Sequence, residues 1–577
     1  MRKELCPRLK DGQRRKGVIM ISSAIVLALI LGFAALSIDL SRVGREKNKM
    51  QISVDAAALA AAQEITNAVY LAGTENLDVA SALATAESNA RLVASEVAAK
   101  NGVYVNPETD VFFGKRVVAE DGSYSITWGA SPANVCRVQA RRDNEDPTAP
   151  DARMNLVFAK AAGADTASDM LAKATAYVET RDIVLCLDYS ASMNDDSDFV
   201  AMSNSRRGKA AVEDNLDDIW DTLVASGVKY SNTNGTKFPS GGYGKIDSYR
   251  GTYYNSYSNW YTYLHLDLYG VPWPQEGKDS YGSLRGQPSA YTSEYRWLNY
   301  INWVRRGYGY TSWYGYKKRY GYRTLMAYMG NQRPYNSYSE DLWRAPYYQF
   351  EGMKQGVTEF CTFLKDLNFD DHIGLVSYAT TAVKEHDLYE PEPDIPVVDL
   401  GSNWITNDYD AINTIQRHKQ AGHYTGSTGI GAGILASRDM LDDHMRDGSR
   451  PAILLMTDGN ANVSPWNFSL PTGWNWNEVA DFDGDGQADF STSSRSKQYA
   501  FYQAKLAVDA GYVIHTMTVG SYADEDLMKA IANLSGGVYY DVPAGSTLAD
   551  FREGIQEAFA RIAAHVPPAR LLSSTEQ

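Results

Sequence analysis

Two short apolar runs far apart in the chain, IVLCL at 183–187 and AILLM at 452–456, each stop at a turn that carries an aspartate. Unbroken apolar runs of this length fit strands buried on both faces, as in a parallel sheet covered by helices on either side. Turns at the carboxyl ends of neighbouring parallel strands meet in one crevice. These turns bring oxygen there: Asp188, Ser190 and Ser192 in LCLDYSASM and Asp458 in LLMTDGN, with Thr428 in TGSTGIG between them in the chain. Two carboxylates and three hydroxyls form an all-oxygen donor set. It suits a hard divalent cation, Mg²⁺ first, with Mn²⁺ or Ca²⁺ as alternatives. With few carboxylates bound directly, the ion stays electron-poor and can accept a further carboxylate from a partner protein.

The flanking chain predicts the same architecture. Residues 350–367 carry a helical apolar period, 371–383 read as a strand, 431–441 and 498–510 as helices, and 512–520 as a buried strand. Residues 524–534 and 548–564 close the pattern with two more helices. Strands alternating with helices predict an α/β fold built on a doubly wound parallel sheet. In order and placement, Asp188, Ser190, Ser192, Thr428 and Asp458 resemble the metal-ion-dependent adhesion site of von Willebrand factor A domains. That resemblance implies direct coordination by Ser190, Ser192 and Thr428, with Asp188 and Asp458 acting directly or through water.

Residues 17–38 are 22 in a row without a charge, enough to cross a bilayer at about 20 residues per span. Seven Lys or Arg against two acids precede them in residues 1–16. The positive-inside rule then holds the basic tail in the cytoplasm and exports everything beyond Ile38 from the inner membrane. A cleaved signal peptide would need a shorter apolar core and a small-residue cleavage site. The formal charge of −15 includes the basic tail, so the exported part is more acidic still. Such a surface suits protein or glycan partners and excludes a nucleic-acid binder.

From Arg15 to Gln63 a basic residue and Gly17 lead into the apolar span. Asp39 marks its outer end, and Gln51 and DAAALAAA at 55–62 follow. This stretch resembles the start of TadG-like proteins of the tight-adherence (Flp-type) pilus system. Relatives processed as pilins carry a Glu five residues after the cleavage Gly. Ser22 stands there in this chain, which implies an uncleaved anchor and pilus components as partners. The Ala-rich run is a strong helix former whose small face admits another helix closely.

The resulting plan has a basic tail at 1–16, a span at 17–38, a helical stalk at 39–100 and a small β-rich domain at 101–180. Strands are expected at 111–113, 124–128 and 135–140. The von Willebrand factor A head follows at 181–566, then a C-terminal tail at 567–577. Within the head, 197–348 form an insertion holding about two dozen of the 39 tyrosines. Such composition suits a recognition surface for protein or sugar, and equally an insertion whose aromatics fill a core of their own. A second departure is DFDGDGQAD at 481–489. Asp481, Asp483, Asp485 and Asp489 hold positions 1, 3, 5 and 9 of an EF-hand-type Ca²⁺ loop, with Gly486 at position 6 and Gln487 at position 7. Thr492 replaces the usual Glu at position 12, so the segment resembles the shorter DxDxDG loops of extracellular proteins.

Cys136, Cys186 and Cys361 fall in the exported part. Burial as small apolar residues and a Cys186–Cys361 bridge both stay open. The chain contains no GxxxxGK[ST] phosphate loop, HExxH motif or recognisable Ser-His-Asp set, and its 8 His show no ligand spacing. A binding protein is therefore expected rather than an enzyme. The alternatives are a free-standing adhesin or glycan binder and, further off, a metal-dependent hydrolase or an accessory ATPase subunit.

Overall fold

The computed structural model describes residues 15–74, 78–119, 122–159, 165–190, 192–193, 348–388, 397–417, 427–520, 522–543, 548–565 and 569–572. The Tyr-rich insertion expected at 197–348 lies outside the described residues except for its last position.

Helix α1 (Arg15–Thr74) runs unbroken for 60 residues, about 90 Å at the α-helical rise. Its first part is apolar, exposed and long enough to cross a membrane. Beyond it one face turns inward. Met50, Val54, Ala57, Ala58, Ala61, Ile65 and Val69 are fully buried at helical spacing. They pack on helix α2 (Val79–Lys100), which answers with Leu83, Ala86, Ala90, Ala94 and Ala98. Asp78 caps α2, accepting from the Ser81 amide at 2.8 Å.

The small sheet contains β1 (Val111–Val118), β2 (Tyr124–Trp128), β3 (Val135–Arg142) and β6 (Met170–Tyr177). A separate hairpin of β4 (Met154–Asn155) and β5 (Ala167–Ser168) projects between β3 and β6. Within segment 39–100 the Ala face of α1 packs on β3 and β6 and completes their core. Arg570–Leu571 form β15, antiparallel to β6, and give the small sheet its order β15-β6-β3-β1-β2.

The head follows directly from β7 (Arg181–Asp188). After it come α3 (Tyr348–Leu367), β8 (His372–Tyr378), β9 (Ala382–Glu385), a short β10 (Asp387–Leu388) and β11 (Val398–Asp399), and α4 (Tyr409–Arg417). Next are α5 (Ile430–His444), β12 (Arg450–Thr457), α6 (Trp476–Val479), α7 (Arg495–Asp509) and β13 (Val513–Val519). Helix α8 (Glu525–Ser535), β14 (Tyr539–Val542) and α9 (Leu548–Ala564) complete it. The six-stranded sheet has the order β14-β13-β12-β7-β8-β9, parallel except for the edge strand β9. Residues 371–383 are thus not one strand: the chain turns at Ala379–Thr381, with the Ala379 amide bonded to the Thr381 carbonyl at 2.9 Å.

Side chains of β7 alternate between the two faces of the sheet. Ile183, Leu185 and Leu187 join a core with α3 and α9 that continues into the small sheet and α1. Val184 and Cys186 join the opposite core under α5, α7 and α8. Cys361, on α3, belongs to the first core, so the sheet separates it from Cys186 and no bridge forms. All three described cysteines are free and buried.

At the amino ends of the strands sits a buried ion-pair cluster. Arg181 pairs with Asp371 at 2.5 Å, and Arg446 pairs with Asp182 at 2.5 Å and Asp370 at 3.0 Å. Asp370 also accepts the Val118 amide at 3.1 Å, tying the small sheet to the head. Arg181 reaches the Ala563 and His565 carbonyls, satisfying the C-terminus of α9.

Candidate metal centre

Strands β7 and β12 are parallel neighbours, and the chain order of the sheet reverses between them. Ligand crevices of open α/β sheets lie outside the carboxyl ends of the strands at this point. Asp188 ends β7 and Thr457 ends β12, so the two turns after them share that crevice.

Asp188 is fully buried and bound on both oxygens. One accepts the Ser190 amide at 2.8 Å and the other the Thr457 hydroxyl at 2.8 Å. Burial pushes its carboxyl up to about 6, against the opposing effect of the bonds from Ser190, Thr457 and the Asp458 backbone. The Ser190 and Ser192 hydroxyls lie 2.9 Å apart, and Ser192 donates to Asp458 at 2.9 Å.

Thr428 enters from the loop before α5. Its amide donates to the Asn462 side chain at 2.8 Å, and its carbonyl accepts the Asn462 amide at 3.0 Å. A side chain begun at Gly459 would meet the Thr428 hydroxyl at 3.2 Å and the Ser192 hydroxyl at 3.7 Å, which locates both at the Asp458–Gly459 turn. Gly429 explains the glycine beside Thr428, because a Cβ there would stand 2.7 Å from the Ala379 carbonyl oxygen. The five residues named from the sequence therefore line one crevice: Ser190, Ser192 and Asp458 are chained by hydrogen bonds, Asp188 lies beneath them and Thr428 beside them. Their chemistry fits a hard cation, since each offers oxygen and two offer negative charge. Sequence reasoning missed three supporting residues: Thr457, which holds Asp188; Asn462, which brackets Thr428; and Gly459, which leaves room at the turn. The only trace of Thr457 is its place immediately before Asp458.

The acidic loop lies in the connection from β12 to α7. Asp481, Asp483 and Asp485 bring carboxylate oxygens within 4.8 Å of one another. The Asp481 carboxylate accepts amides from Gly484, Asp485 and Gly486 at 2.8–3.1 Å. Gly484 and Gly486 adopt φ of +80° and +86°, the left-handed region that suits glycine in such a turn. Asp485 accepts the Gln487 amide, while Asp489 turns back to accept from Phe482. Thr492 is engaged elsewhere, accepting from the Ser494 amide and the Gln498 side chain at the start of α7.

Residues 17–64 match the family described as "Putative Flp pilus-assembly TadE/G-like". No curated protein matches the chain. Among solved structures, an aerotolerance-related membrane protein from Bacteroides fragilis is similar at 15% identity over 37% of this chain and 88% of that one, with a TM-score of 0.23. The PilB minor pilin from Streptococcus sanguinis is 14% identical over 38% of this chain and 56% of its own, with a TM-score of 0.25. A von Willebrand factor type A protein from Catenulispora acidiphila is 14% identical over 36% and 38%, with a TM-score of 0.22. The head is an α/β unit built on a six-stranded sheet, parallel except for its antiparallel edge strand. Ahead of that head lies the segment matched by the TadE/G-like family, and its apolar helix is long and apolar enough to cross a membrane.

Proposed function

We propose that this protein is a single-pass component of a tight-adherence (Flp-type) pilus or related surface system. Its head lies outside the inner membrane and grips a protein partner through a divalent cation. The reading is carried by the crevice between β7 and β12, where Ser190, Ser192 and Asp458 form a continuous hydrogen-bonded chain next to Thr428 and Asp188. Ser190, Ser192 and Thr428 would hold Mg²⁺ or Mn²⁺, and Asp188 and Asp458 would supply charge. An acidic side chain of the partner would take the remaining position, because neutral hydroxyls leave the ion a strong acceptor of carboxylate. The basic tail keeps the start of α1 cytoplasmic. The role is binding, not catalysis. The loop at 481–489 would hold a second, structural Ca²⁺, separate from the crevice.

Calorimetric titration of Mg²⁺ into the detergent-solubilised full chain tests the centre. Wild type should bind at the crevice and the Asp188→Ala variant should lose that binding while keeping the fold by circular dichroism. Equal Mg²⁺ affinity in the two proteins would remove the crevice as the metal site.

A further inference from the structure

The first charged residue after the apolar span is not free at the membrane surface. Asp39 is only 4% exposed, and its two oxygens accept the Val157 and Phe158 amides at 2.9 Å each. These two residues follow β4 in the β4–β5 hairpin, and their side chains face solvent, 59% exposed for Val157 and 38% for Phe158. Two outward apolar side chains on backbone whose amides are both already paired suit an interfacial lipid environment, where an unpaired N–H group is costly.

Position along α1 gives the level of the hairpin. Helical side chains tilt toward the helix N-terminus and cover the preceding turn. Asp39 therefore reaches back over the last turn of the span, and the amides it holds lie at that height. Burial agrees independently. Between Met20 and Ile38 every residue is exposed except Ala35, which is partly covered and lies one turn before Asp39 on the same face.

We propose that Val157 and Phe158 seat in the interfacial layer of the bilayer that α1 crosses, with Asp39 as the clamp that holds them there. The hairpin is a second membrane contact that fixes the height and tilt of the head relative to the lipid. This rests on the reading of residues 17–38 as a membrane span. Amphipathic surface elements bury apolar side chains about 5–10 Å into the headgroup boundary, a depth compatible with a hairpin held by Asp39 at the end of the span.

The test uses the full chain with Cys6→Ser, whose remaining cysteines are buried. It is reconstituted in phosphatidylcholine–phosphatidylglycerol liposomes. Phe158→Cys, Ile30→Cys and Trp466→Cys are labelled singly with an environment-sensitive NBD fluorophore; Ile30 reports mid-span, and Trp466, 87% exposed, reports water. Quenching by shallow doxyl lipid and by aqueous iodide is then compared. At position 158 lipid quenching should exceed iodide quenching, and adding Asp39→Ala should return it to the pattern at 466. Iodide quenching at 158 with lipid quenching at 30 would overturn the hairpin contact and leave the anchor standing. Iodide quenching at both would overturn the two together. Protection of 158 from both quenchers would replace lipid with a second copy of the chain as the partner, and also overturn the proposal.

Discussion

At the residue scale the head depends on polar groups buried in fixed protonation states. His515 on β13 accepts the Val538 amide on Nδ1 at 3.2 Å, which places its own proton on Nε2 and keeps the ring neutral. Burial, followed by the neighbouring His565 and Arg181, pushes its pKa down to about 3. The His565 ring lies 5.2 Å away, and burial with Arg181 lowers its pKa too. A histidine depressed in the folded state contributes stability that is complete above its ordinary value near 6.5. That contribution is lost as pH falls from there toward about 3, at about 1.4 kcal/mol per pH unit. His515→Asn keeps an acceptor for Val538 but cannot titrate. Thermal melts at pH 7 and pH 5 should show wild type losing more stability than the variant over this interval. Equal losses would assign the acid sensitivity to other groups.

At the element scale, loops after strands were the most legible part of the chain and packing between helices the least. The runs ending at Asp188 and Asp458 announced both the sheet and its crevice, because a doubly buried strand must be apolar throughout and its polar stop stands out. Thr457 and Asn462 left no such mark, since each acts through a neighbour's carboxylate or backbone. The turn at 379–381 was hidden because Thr380 and Thr381 have strand-like propensity on either side of a tight reversal. The docking of α1 was hidden for another reason: an Ala-rich face packs equally well on any close surface and carries no directional signal. The acidic loop at 481–489 was legible as a pattern, and its geometry gives a test. Its carboxylates repel one another without a cation, while the Phe490 ring that follows is locked 5.3 Å from Phe501 and 5.7 Å from Trp476. Calcium should therefore order the turn and leave its base unchanged, with affinity in the weak extracellular class of ~10⁻⁴–10⁻³ M. Limited proteolysis of wild type should spare 481–489 in millimolar Ca²⁺ and cut it in chelator. Asp483→Asn with Asp485→Asn should be cut in both conditions. Equal cleavage of wild type with and without Ca²⁺ would make the segment a plain acidic turn.

At the scale of the whole molecule, membrane helix, small sheet and head behave as one body because a single core runs through them. A side chain at Gly73 of α1 would collide with Ala564 of α9, so these helices touch at backbone distance. The chain crosses back after α9 to pair β15 with β6, a two-residue strand too short to foresee from its composition. The ion-pair cluster closes the same joint. Arg446 is 3% exposed and serves Asp182, Asp370 and the Val118 and Asp370 carbonyls together. Burial would raise the Asp370 carboxyl, but the bonds from His372, Arg446 and the Val118 amide outweigh it and hold the group below its usual range. Removing the guanidinium leaves the buried Asp182 without its cation and takes one of the groups that hold Asp370, and losing one partner of a buried pair costs about 3–5 kcal/mol. Arg446→Ala should accordingly lower the melting temperature of the head. Since Asp370 also holds Val118, the small sheet should loosen with it. Hydrogen exchange resolved by peptide should show faster exchange at 111–118 as well as at 181–188 in the variant. Faster exchange confined to 181–188 would mean that the small sheet and the head are independent units joined by a linker, contrary to the shared core.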